Sequence, residues 1–210
     1  MTIATVDRAD GPDVVERGAL AEEDRLRADM YDLLAAVLRA PPDDAMLDAL
    51  AALEGDGSEI GRAVDALAHL ASTTDAARAA REHHDLFIGL GRGELVPYGS
   101  YYLTGFLHEK PLGELRRALR ELGLARAEEV REPEDHVAAL MEVMAGLIDG
   151  RHGAGVSREE QAAFFERHVG SWAGHFFADL EGARAAVLYA PIGTIGRGLM
   201  EVEARAFAMA

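Results

Sequence analysis

Residues 133–149 read PEDHVAALMEVMAGLID, and this stretch decides the fold class. Val137, Leu140, Met141, Met144, Leu147 and Ile148 recur at three- and four-residue steps, the cleanest amphipathic pattern in the chain, so they share one face of an α-helix. Pro133 stands where proline suits a helix start, because a first-turn residue needs no amide donor. Working outward, the same period returns almost everywhere. Upstream, Leu26, Met30, Leu33, Leu34, Val37 and Leu38 form a helix face that Pro41-Pro42 stops. Met46, Leu47, Leu50 and Leu53 mark a second helix, and Ile60, Val64, Leu67, Leu70 and Ala71 a third. Ser72, Thr73 and Thr74 are N-cap types for a fourth, with Ala79, His83, Leu86, Phe87 and Leu90 on its apolar face. Helix resumes near Ser100, and again after Pro111 with Leu112, Leu115, Leu119 and Leu122, closed by Gly123. Downstream, Gly150 to Gly155 is a loop, and Ser157 with Glu160 makes a capping box. The helix that follows breaks near Gly170-Ser171. A last helical region spans Ala183 to Phe207, kinked or split by Pro191.

Strand signals are nearly absent: there is no convincing period-two run and no Asn-Gly hairpin. The expectation is an all-α fold, a single helical domain of about nine or ten helices over residues 23–210, preceded by residues 1–22 as a flexible tail.

Composition excludes several function classes. With 21 Lys+Arg against 37 Asp+Glu the formal charge is −16, and there is no cysteine among the 210 residues. Thiolate metal sites, disulfides and a cysteine nucleophile are therefore excluded. A general nucleic-acid binder needs a net basic face, so none is expected as a partner. No run approaches 18 uninterrupted apolar residues, so no membrane insertion is expected either. The acidic start lacks the apolar core of a secretory signal, and a cytoplasmic location is expected.

Two constellations hold the chemistry. Pro97-Tyr98-Gly99-Ser100-Tyr101-Tyr102 follows Gly89-x-Gly91-x-Gly93, the longest stretch of breaker residues. It reads either as a turn with aromatics packed under a helix start or as a groove wall, because tyrosine joins an apolar face to a polar tip. Glu132-Pro133-Glu134-Asp135-His136 reads either as first-turn carboxylates meeting the helix dipole or as an acidic mouth suited to a cationic peptide. Catalytic and metal readings are weaker. His83 and His84 are adjacent and diverge by about 100° on a helix. No His-Glu-x-x-His pair or Gly-x-Ser-x-Gly elbow exists. Gly89-x-Gly91-x-Gly93 and Gly193-x-x-Gly196-x-Gly198 follow no strand, which argues against a phosphate cradle. No catalytic residue, metal ligand or cofactor is assigned.

Leu86-Phe87-Ile88-Gly89, Val96 to Tyr102, and Glu132 to Val137 before a helix resemble the TorD/DmsD family of redox-enzyme maturation chaperones. The Phe165-x-x-His168-x-x-x-Trp172-x-x-x-Phe176 pattern and Leu188-Tyr189-Ala190-Pro191 extend the resemblance over roughly residues 26–205. It implies an all-helical protein that binds the twin-arginine leader of a molybdenum-cofactor oxidoreductase and holds it back from export until cofactor insertion. The family's Pro-aromatic pair falls on Pro97 and Tyr98, and its Asp-His pair on Asp135 and His136. Gly99 stands where other members carry Glu. Some members form domain-swapped dimers, so the state implied is a monomer or a dimer hinged in Gly123–Glu132. The expected peptide site is Pro97, Tyr98, Ser100, Tyr101, Glu134, Asp135 and His136. Asp85 is a further candidate acceptor, and Phe106 and Met141 are expected to line the apolar part. Two rival readings remain from the residues alone. One is a helical enzyme or a cofactor or nucleotide carrier using His136, His83 or His168 with nearby carboxylates. The other is an acidic helical adaptor without leader specificity.

Overall fold

The structure, a computed structural model, describes residues 3–5, 20–127, 129–151 and 156–209. Among them are ten α-helices: α1 (Glu22–Arg39), α2 (Asp44–Ala51), α3 (Glu59–Thr73), α4 (Ala76–Phe87), α5 (Gly99–Thr104), α6 (Lys110–Glu121), α7 (Val137–Asp149), α8 (Arg158–Phe165), α9 (Ala173–Glu181) and α10 (Tyr189–Ala208). A π-helical turn, Glu166–Gly170, continues α8. The all-α expectation holds, with one addition that no periodicity announced. Strands β1 (Ile3–Thr5) and β2 (Leu124–Arg126) pair antiparallel, Ile3 opposite Arg126 and Thr5 opposite Leu124. Three-residue strands are too short for a period-two pattern to register. Strand β2 lies within the connection where the resemblance implied a hinge.

Two compact units divide the chain. The first takes the described parts of Met1–Arg39, Tyr98–Trp172 and Ala206–Ala210; the second takes Ala40–Pro97 and Ala173–Arg205. In the first, α7 is the centre, and α1 packs along it. Helix α7 is not amphipathic in the fold. Every one of its residues except Glu142 is buried, because Ala138, Ala139, Ala145 and Gly146 fill the face that the larger apolar residues leave open. Glu142 meets Arg39 of α1 at 2.8 Å. At the far end of α7, Asp149 accepts from the Arg151 Nε at 2.8 Å, and Arg151 also grips Asp32. The loop expected after Gly150 lies largely outside the described residues.

In the second unit α2 packs on α3, and α10 lies close against α9. A Cβ at Gly193 would stand 2.4 Å from the Glu181 amide nitrogen, and one at Gly196 2.2 Å from the Phe177 ring. The Gly193–Gly198 repeat is therefore a packing surface, and only glycine allows the two backbones this approach. Expected boundaries move. Helix α4 ends at Phe87, which leaves Leu90, expected on its apolar face, outside the helix and exposed. Helix α4 is capped by Asp75, whose carboxylate accepts from the Arg78 amide at 2.8 Å, rather than by the preceding Ser and Thr residues. The last helix begins at Tyr189 rather than near Ala183, and Pro191 sits in its first turn, where no donor is missed. The amides of Val187, Leu188 and Tyr189 instead donate to the Glu82 carboxylate of α4, at 2.7, 3.1 and 2.8 Å. Amides of Arg184 and Ala185 donate to Glu94 in the same way, at 2.8 and 3.0 Å.

Candidate functional site

Two non-helical stretches of the first unit meet where α5 and α7 begin. Tyr98 and His136, each immediately before its helix, form an antiparallel backbone bridge. The Gly99 amide donates to the Asp135 carbonyl at 2.9 Å. The Ser100 amide, in the first turn of α5, donates to Asp135 Oδ2 at 2.8 Å, so a carboxylate 35 residues away serves an orphan donor at that helix start. Helix α7 begins at Val137 with His136 as its N-cap, the imidazole Nδ1 accepting from the Ala138 amide at 3.2 Å. Pro133, Glu134 and Asp135 thus precede the helix. The first-turn reading of the two carboxylates is wrong for a local reason: the bridge to Tyr98 holds the backbone extended at His136.

A cavity of about 240 Å³ opens beside this junction, lined by Tyr98, Ser100 and Asp135 together with Leu107, His108, Arg131 and Pro133. Ser100 is 0% exposed and Asp135 3%. Ser100 Oγ and Asp135 Oδ1 are both buried without a hydrogen-bond partner among the described residues. A buried carboxylate oxygen left open costs free energy unless something completes it. Tyr98 donates its hydroxyl to Glu132. Burial raises the Tyr98 phenol above its usual range, and the Glu132 hydrogen bond and charge raise it further, so it stays a neutral donor. His108 holds a left-handed backbone, φ 63°, uncommon for a residue with a side chain.

The remaining expected site residues take other places. Pro97 is buried and lines no part of this cavity. Tyr101 is half-buried, its ring edge-on to Tyr102 at 6.1 Å. Glu134 is held by Arg116, whose Nη2 stands at 2.8 Å, and more loosely by Arg126 at 3.6 Å. Its burial would raise the carboxyl, but the Arg116 hydrogen bond and the charges of both arginines win, and it titrates below the ordinary range. Glu134 is thus spoken for and does not offer an open acidic mouth. The His136 ring packs edge-on against Tyr98 at 5.2 Å. Met141 is fully buried at 0% exposure and is not among the residues lining this cavity, whereas Phe106 is 68% exposed. Asp85 belongs to the other unit, where it is exposed beside His84. Leu107, His108 and Arg131 were not among the site residues expected from the sequence. The signal available for His108 was its place in the short breaker between two helices.

No helix of the described residues is long and apolar enough to cross a membrane. Comparison with known proteins gives a family match, two curated relatives and a match in fold. A family described as nitrate reductase delta subunit matches residues 53–178. Chaperone protein TorD of Vibrio cholerae serotype O1 is 31% identical over 134 residues, 60% of this chain and 61% of that protein. TorD of Vibrio vulnificus is 29% identical over 128 residues, 60% of each chain. The chain thus spans about three fifths of the length of these curated relatives. In fold it is similar to a solved protein from Archaeoglobus fulgidus described as a proposed redox enzyme maturation protein, with a TM-score of 0.58 and 20% identity over 84% of this chain and 94% of that one. Matched by one family over more than half of its length, and carrying the Pro97-Tyr98 and Asp135-His136 motifs in order, the chain belongs to the nitrate reductase delta subunit family, the TorD/DmsD group of its sequence resemblance.

Proposed function

We propose that this protein is a cytoplasmic maturation chaperone that acts by binding, not catalysis. It takes the twin-arginine leader of a molybdenum-cofactor oxidoreductase and delays export until the cofactor is inserted and the enzyme folded. The observation that carries this reading is the buried Asp135 carboxylate beside the Tyr98 cavity, with Oδ1 unpartnered. An arginine side chain supplies what that atom lacks, a planar charged donor fork able to engage a carboxylate and a neighbouring hydroxyl together. Tyr98 adds an aromatic wall for the stem of such a side chain. The TorD name borne by relatives in two Vibrio species supports the chaperone class.

The test is calorimetric titration of a twin-arginine leader peptide and its twin-lysine control into wild type and an Asp135→Ala/His136→Ala double variant. Binding of the arginine peptide, with a loss of about tenfold or more in the variant, is expected. Failure of wild type to bind the leader of any molybdoenzyme of its host would overturn the reading. Equal binding by the variant would remove the site and leave the function.

A further inference from the structure

Residues 122–136 connect α6 to α7, a longer joint than most in a compact domain. They carry the part of the larger cavity's wall that Arg131, Pro133 and Asp135 form. Three fastenings hold this connection. At its end, the backbone bridge between Tyr98 and His136 ties it to the start of α5. Along its middle, Arg126 Nη1 donates to the Glu132 carbonyl at 3.3 Å, and Arg126 Nε stands 3.6 Å from Glu134. Glu132 in turn accepts from the Tyr98 hydroxyl. At its start the fastening comes from far upstream: β2 pairs antiparallel with β1, Ala4 opposite Ala125, and β1 also lies against α7.

We infer that β1 is a positioning element of the leader site: its pairing with β2 holds the connection in the form that walls the cavity, and its release loosens that wall and weakens peptide binding. The inference rests on the leader-binding reading and adds a control over it. A three-residue strand is not stable alone. Without β1, the backbone groups of β2 that face it return to water, and Leu124–Arg126 lose their fixed register. Arg126 then loses the base from which it holds Glu132 and Glu134. The stretch free to move grows, and closing a longer loop costs more entropy. A peptide that needs an ordered wall must supply that order on binding, which subtracts from its affinity. The effect is not electrostatic. Ile3, Ala4 and Thr5 carry no charge, so the attraction for a cationic peptide is the same whether or not the strands are paired.

Two full-length variants test this. In Ile3→Pro/Ala4→Pro a ladder donor is lost whichever of the two neighbours faces β2, and φ is fixed away from strand values. In Ala4→Cys/Ala125→Cys the two cysteines stand opposite one another, about 4.5–5.5 Å apart at Cα, within the span of a disulfide. The natural chain has no cysteine to interfere. A twin-arginine leader peptide is titrated into each, and amide exchange is followed by mass spectrometry. The proline variant should bind about fivefold or more weakly, with an unchanged salt dependence. Its residues 122–127 should exchange faster while α1 exchanges as in wild type. The oxidised cysteine pair should bind at least as tightly as wild type. Equal binding by wild type and the proline variant overturns the inference and leaves the leader reading intact. So does a cysteine pair that fails to cross-link, or one that when oxidised binds as weakly as the proline variant. Faster exchange throughout α1 would mark a general loosening and overturn it too. If wild type binds no leader peptide, the leader reading and the inference both fail.

Discussion

At the scale of single residues, neighbours decide what a side chain does. Glu134 looked like a free acid in the sequence, yet Arg116 neutralises it. Glu134→Gln should cost about 1–2 kcal/mol, at the low end for hydrogen bonds to a charged group because Arg116 is 44% exposed. Its folded carboxyl titrates below the unfolded value, so this contribution is present above about pH 4.5 and is lost as pH falls through the folded value. Urea melts of wild type and Glu134→Gln should therefore converge in acid. His168 works on a higher range with the same direction. Burial first, then the charge of Arg167, hold its imidazole below 6.5 against the opposing pull of Glu114. As pH falls below 6.5 the unfolded chain takes up a proton that the folded one resists, so acid destabilises. His168→Gln should flatten the fall in melting temperature between pH 7 and the folded titration point, and an unchanged slope would assign that fall elsewhere. Gly99 has a steric reason to be glycine. A Cβ there would lie 3.0 Å from the Trp172 indole nitrogen, so Gly99→Glu, the residue of other family members, should destabilise by about 1–3 kcal/mol in a denaturant titration.

At the scale of elements, helix starts are served from a distance. Glu82 of α4 takes the three amides that open α10, a capping arrangement assembled by tertiary contact. Glu82→Ala should cost about 2 kcal/mol, the upper end for a lost cap, since three donors lose their acceptor together. Denaturant unfolding measures it, and a cost under 0.5 kcal/mol would mean that water replaces the carboxylate freely. The same contrast explains what could be read beforehand. The periodicity of Leu26 to Leu38 and of Leu112 to Leu119 is a local property of one helix, and both helices stand where that pattern put them, although Leu26, expected on the first core face, is 59% exposed. The capping box of Ser157 and Glu160 is likewise local, and it is present in full. The start of α10 depends on a residue about a hundred positions earlier, and the β1–β2 pairing on strands over a hundred residues apart. No window along the chain contains such signals. Asp135 falls between the two cases: the motif order picked out the residue, but its burial and open oxygen come from the bridge between Tyr98 and His136.

At the scale of the whole molecule, the charge of −16 has a kinetic consequence separable from the site. Long-range attraction from a net acidic protein speeds encounter with a cationic peptide, and salt screens it over a length of about 10 Å at 0.1 M. Contacts made after docking, such as the guanidinium contact proposed for Asp135, act mainly on dissociation. Within that acidic background Arg116, Arg117 and Arg120 of α6 and Arg126 and Arg131 of the connection to α7 supply local positive charge among a similar number of acids, and Arg131 lines the larger cavity. The field that a peptide meets near the site is thus the net acidic background less a local basic contribution. Stopped-flow binding of a fluorescent twin-arginine peptide should show the association rate falling about tenfold or more between 10 and 150 mM salt, with little change in dissociation. Asp135→Asn should leave that salt dependence nearly intact and speed dissociation instead. Replacing Arg131 by Gln should raise the association rate, because it removes a like charge from the entrance. An association rate indifferent to salt would mean that the local arginines cancel the background, and the acidic composition would then have no part in capture.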